Sequence, residues 1–148
     1  MSISVLSITN GDSAAAVMAA AGVPGRILPW RDILHDGPVP GGLAPAGLAA
    51  VRAGFLAGPA PDRYEAILQD FQERDRLVQA FDEFRQVTIW LEHDLYDQLQ
   101  LLQLLDRFAD VDAVDTDLGL ICATVALGLV WLLRPLLLAP TFEDSTTF

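Results

Sequence analysis

Residues 86–91, QVTIWL, are apolar on both alternating faces and run directly into Glu92, His93 and Asp94. A strand with no face suited to water belongs inside a sheet covered on both sides, as parallel sheets are when helices flank them. From Asp94 to about Phe108 apolar residues recur at helical spacing, so a helix begins where the strand stops. The pattern occurs twice more. ISVLSI at 3–8 ends in Thr9-Asn10-Gly11-Asp12-Ser13 and leads into the alanine-rich SAAAVMAAAG. Asp12 or Ser13 can cap that helix and Gly22 suits the residue past its end. RILPW at 26–30 ends in Arg31-Asp32, and Pro29, lacking an N–H, favours a strand end or a sheet edge.

Between the second and third strands, the Pro- and Gly-rich RDILHDGPVPGG leads to a helix whose stripe is Leu48, Val51 and Phe55. After GPAPD at 58–62, a longer helix carries Tyr64, Ile67, Leu68, Phe71, Val78 and Phe81 on one face and charges on the other. The order βα, βαα, βα predicts an α/β fold: an open three-layer sandwich, Rossmann-like, with a mostly parallel sheet and helices on both faces. At 148 residues the chain is one domain's worth. Residues 1–117 form the expected domain. From Leu118 to Leu133 no charge appears, and residues 118–148 are expected to pack on the same domain as a buried strand and helix. A membrane span needs about 18 to 20 apolar residues, and Arg134-Pro135 interrupts this run before that length. Two other readings of the segment, a membrane-associated tail and a disordered end, stay open.

Charge and inventory narrow the chemistry. A formal charge of -11 argues against non-specific binding to nucleic acid or anionic lipid, which depends on cations meeting phosphates. All nine basic residues are Arg, so lysine-linked cofactors, Schiff bases and a phosphate-loop lysine are excluded. Cys122, the one cysteine, permits no internal disulfide and suits a reducing cytoplasm; in its apolar run it reads as a small buried hydrophobe. MSISVLSITNGD lacks a basic region and turns polar too early for a secretory signal, which again points to the cytoplasm.

Each polar cluster sits at a strand's carboxyl end, and in an open parallel sheet those ends share one edge, where such folds bind ligands. Asn10, Gly11, Asp12 and Ser13 follow the first strand, Trp30, Arg31 and Asp32 the second, and Glu92, His93 and Asp94 the third. The turn at 10–13 offers free amides and a helix dipole to an anion, with Asp12 opposing it unless a divalent cation or Arg31 intervenes. Asp12, Asp32 and Glu92 are hard oxygen ligands suited to Mg²⁺ or Mn²⁺, although their spacing matches no dedicated motif. Glu92, His93 and Asp94 are the candidates for acid, base or metal-supporting chemistry. Asp94 is also the natural N-cap of its helix. His35 and His93 are the only histidines, and either could be catalytic or a salt-bridged structural residue. Arg31 could hold an anion, or pair with Asp32, Asp36 or Glu92; Trp30 could stack on a ligand or lie in the core. In the helix after the third strand, Leu101, Leu104, Leu105 and Phe108 form the apolar arc, and Tyr96, Gln100, Gln103 and Arg107 the exposed stripe. Asp97 and Gln98 fall on the apolar arc and need partners or a cavity.

ITNGDSAAAV, LPWRDILHDGPVP and IWLEHDLYDQLQLLQLL together resemble the N-terminal region of a bacterial family, domain of unknown function 1835, over roughly residues 3–110. The resemblance implies the α/β fold and the importance of these blocks, and no activity. Three functions remain in competition. One is an enzyme, a metal-dependent hydrolase or transferase acting on a small phosphorylated or nucleotide-like ligand. The second is a non-catalytic ligand-binding or regulatory domain, and the third an interaction module whose acidic surface meets a basic partner. The apolar C-terminal segment could also support a homo-oligomer.

Overall fold

The computed structural model describes residues 4–109 and 115–123. Four strands, β1 (Val5–Thr9), β2 (Arg26–Pro29), β3 (Gln86–Glu92) and β4 (Asp117–Ala123), form an all-parallel sheet in the order β2-β1-β3-β4. The helices are α1 (Asp12–Ala20), α2 (Pro45–Ala57), α3 (Pro61–Gln79) and α4 (Leu95–Phe108), with a single 3-10 turn at Phe81–Glu83. This is the expected α/β sandwich, and β3 is central as its two-sided apolarity requires. Pro29 lies at the end of β2, on the sheet's edge.

Alternation along the strands divides the core into two layers. Leu6, Ile8, Val87, Ile89 and Leu91 point to one face and pack with Val78, Leu104 and Phe108 of α3 and α4. Trp90 points to the other face and packs with Ala14 and Met18 of α1, with Ile27 and Ile121 at its margin. No helix among the described residues is long and apolar enough to cross a membrane.

Several expectations need correction. The buried face of α2 is Ala49, Arg52, Ala53 and Ala57, while Leu48 and Val51 are half-buried and Phe55 is exposed. Alanines let α2 approach α3 closely, and Arg52 is buried because its charge is answered by Asp32 (0% and 1% side-chain exposure). Within the supposedly charged face of α3, Arg74 and Asp75 are buried as a pair, with the Arg74 guanidinium between the rings of Trp30 and Phe71 at 4.2 and 4.3 Å. The buried line of α4 is Asp97, Gln100, Leu104 and Phe108, so Gln100 is inside and Leu105 outside. Gln100 donates from Nε2 to the carbonyls of Trp30 and Asp32, at 3.3 and 3.0 Å. The half of α4 nearest the strand ends thus meets polar groups, chiefly of the backbone, rather than hydrocarbon. Residues 117–123 form β4 and extend the sheet, and Cys122 on that strand is exposed rather than buried. The expectations for 124–148 lie outside the described residues.

Candidate functional site

The order β2-β1-β3-β4 sends the chain in opposite directions from the two central strands. β1 leads into α1 on one face, and β3 leads into α4 on the other. The carboxyl ends of β1 and β3 therefore mark the switch point of the sheet, the place where parallel α/β sheets form the crevice that binds ligands.

Asn10 and the first turn of α4 meet at that point. Asn10 Nδ2 donates to Asp97 Oδ1 at 2.7 Å, and the Glu92 N–H donates to Asp97 Oδ2 at 2.5 Å. Gln98 Nε2 donates to the Glu92 carbonyl at 3.1 Å. These contacts supply the partners that Asp97 and Gln98 required. Asp94 is the N-cap of α4, its carboxylate accepting from the Asp97 N–H at 2.9 Å. Glu92 is half-buried and His93 exposed, and their side chains make no hydrogen bond among the described residues. His35 reaches the same region from the loop after β2 and packs its ring on Tyr96, centroids 4.1 Å apart.

The two helix starts beside the crevice differ. Asp94 caps α4, whereas no side chain caps α1, whose preceding residue is Gly11. Gly11 has φ 119° and ψ -172°, a conformation essentially restricted to glycine. The first turn-closing donor is the Ala15 N–H, to the Gly11 carbonyl at 3.0 Å, which leaves the amides of Asp12, Ser13 and Ala14 without helical acceptors. Beneath this turn, on the α1 side of the sheet, Thr9 Oγ1 is buried with no hydrogen-bond partner among the described residues.

Of Asp12, Arg31, Asp32, Glu92, His93 and Asp94, at least four are expected to line one cleft; by their contacts the six divide into three groups. Glu92, His93 and Asp94 stay at the end of β3. Arg31 pairs with neither Asp32, Asp36 nor Glu92. Its Nε donates to both oxygens of Asp12 at 2.9 and 3.0 Å, and its Nη1 meets Asp70 of α3. The hydrogen bond from Arg31 holds the Asp12 carboxyl below the usual aspartate range, and Asp12 in turn raises the guanidinium's. Asp32 is closed off from ligand. Arg52 donates to it from Nε at 2.9 Å and holds the loop after β2 through the carbonyls of Ile33, Asp36 and Pro38, at 3.0, 2.7 and 3.2 Å. Trp30 is also interior, fully buried with its Nε1 donating to Gln103 Oε1 at 2.9 Å, so it cannot stack on a ligand. Burial lowers the affinity of Arg74 for its proton.

Among the described residues no three His, Cys, Asp or Glu side chains are grouped to hold a metal. Asp12 and Asp32 are taken by Arg31 and Arg52, so with Glu92 they do not fit the Mg²⁺ or Mn²⁺ site expected of them. Sequence reasoning missed Asp70, Arg52 and Arg74. Arg52 had one available signal: a lone charge on an otherwise alanine stripe at positions 49, 53 and 57. Compared with models of known families, with curated proteins and with solved structures, the chain finds no match.

Proposed function

We propose that the crevice between β1 and β3 binds a small phosphorylated or nucleotide-like molecule, with its anionic group on the amides of Asp12, Ser13 and Ala14. The observation that carries this reading is the uncapped start of α1 behind Gly11. Its free N–H groups and helix dipole favour an anion, and the Thr9 hydroxyl, buried with no hydrogen-bond partner among the described residues, adjoins the same turn. Asp12 would repel such a ligand, but Arg31 is in contact with it and neutralises it. Asn10 and Gln98, both half-buried, adjoin the crevice, and the buried Asp97 holds Asn10 in place. The resemblance of the three motif blocks to domain of unknown function 1835 belongs to the same proposal, since all three contribute residues to this region.

The side chains of Glu92 and His93, which make no hydrogen bond among the described residues, favour a second reading, in which they serve as base and acid on the bound ligand in hydrolysis or group transfer. Both readings require the anion site. Inorganic phosphate, pyrophosphate and nucleoside phosphates, titrated against the full chain in thermal-shift assays with and without Mg²⁺, should raise the melting temperature by mass action. Asp12→Ala and Asp12→Pro separate the amide from the carboxylate. Proline is tolerated at the first helical position, so both variants should fold, but only Asp12→Pro lacks that N–H. Anion binding should be kept or strengthened in Asp12→Ala and weakened in Asp12→Pro. Equal binding by the two variants would reject the amide site.

A further inference from the structure

A second feature adjoins this turn. Leu56 at the end of α2, with Ala66, Ile67 and Phe71 of α3, forms the apolar part of a groove of about 530 Å³. Arg31, Arg63 and Asp70 supply its polar lining. That volume lies in the range of small-molecule sites, about 300 to 1,000 Å³.

Arg31 belongs to both places. Its Nε and Nη2 lie on Asp12, the first residue of α1, and its Nη1 on Asp70, inside the groove. Arg31 therefore links the first residue of α1 to the lining of the groove. With those edges engaged by carboxylates, the flat face of Arg31 remains for contact with a ligand, and a guanidinium face favours aromatic rings. Arg63 is exposed, donates to the Leu56 carbonyl at 3.3 Å and forms no ion pair among the described residues, so the groove's lip carries a cation without a carboxylate.

We infer that the groove holds the body of the ligand whose anionic end lies at the start of α1, and that this ligand is a phosphate monoester with a flat aromatic body, stacked on Arg31 and bordered by Arg63. The inference rests on the proposed anion site and extends it to a substrate class. An apolar floor favours a ring over a sugar or a polyol, because desolvated hydroxyls would find no partner on Leu56, Ile67 or Phe71.

Isothermal titration of the full chain with inorganic phosphate and with 1-naphthyl phosphate tests it. The aryl ester should bind at least tenfold more tightly. Ala66→Trp, at an exposed helical position on the groove, should cut that advantage below threefold and leave the affinity for inorganic phosphate unchanged. In the unmodified chain, methyl resonances of Leu56 and Ile67 should shift with the aryl ester and stay in place with inorganic phosphate, a readout that does not depend on the variant's folding. Equal affinities for the two probes, or unmoved methyls, overturn the groove while leaving the anion site standing. Failure of both probes to bind overturns the anion site and the groove together.

Discussion

Asn10 and Asp97 lie 87 positions apart in sequence and 2.7 Å apart in space, joined by a hydrogen bond across the divide between β1 and β3. The same carboxylate accepts the Glu92 amide, so one buried side chain ties the ends of both central strands to α4.

Replacing Asp97 with Ala should therefore be costly. It strands the Glu92 N–H, at about 1 to 3 kcal/mol, and the half-buried Asn10 amide, which water can partly serve at about 1 kcal/mol, for a combined loss of about 2 to 4 kcal/mol in urea unfolding. Asp97→Asn keeps one acceptor and should fall between. A loss below about 1 kcal/mol for Asp97→Ala would mean that the clamp is not formed.

Arg52→Met should destabilise by about 3 to 5 kcal/mol, because Asp32 is left buried and unpaired. Adding Asp32→Leu should restore much of that loss. Amide exchange of residues 33–37 should be faster in both variants, since the loop loses three carbonyl contacts to Arg52. An unstable double variant, no better than Arg52→Met, would show that the loop contacts outweigh the ion pair.

Gly11→Ala tests conformation without crowding. Nothing lies within 4 Å of the position its Cβ would take, so the expected cost is backbone strain, about 1 to 3 kcal/mol. Gly25→Ala should be worse, because its Cβ would collide with the Val5 backbone in addition to straining a positive φ of 86°. Thermal unfolding of the two variants side by side checks the order.

The Arg31–Asp12 pair sets a pH limit. Asp12 has a depressed pKa in the folded chain, so the pair's contribution is present above the ordinary aspartate value of about 4 and is lost as pH falls through the lower folded value. The difference in stability between the unmodified chain and Asp12→Asn should be constant from pH 8 to pH 5 and should vanish in strong acid. Both side chains are well exposed, so its size should be that of surface pairs, about 0.2 to 1 kcal/mol. A difference that disappears near pH 6 would implicate a histidine instead.

The legible part of this molecule is the part written in local pattern. QVTIWL announced a central strand, Asp94 announced a cap, and Asp97 and Gln98 announced themselves as polar groups on the wrong face of a helix. Long-range charge pairing was not legible. The choice of Arg31 for Asp12 and Asp70, and of Arg52 for Asp32, depends on how α3 and α2 cross the sheet, which no spacing encodes. Trp30 and Asp32 follow a strand just as Asn10 does, yet they turn inward because Gln100 and Gln103 of α4 and Arg52 of α2 bind that segment from inside.

The position of β1 between β2 and β3 has a consequence during synthesis. β2 leaves the ribosome soon after β1 and can pair with it at once, but the neighbour on the other side arrives only after α2 and α3 have been made. Until residues 86–92 emerge, one edge of β1 is free to pair with any other chain. The nascent protein is thus most exposed to misassembly while the two crossover helices are being translated. A pause in that stretch should lengthen the window, and a chain truncated before β3 should be a substrate for chaperones rather than a smaller version of the fold.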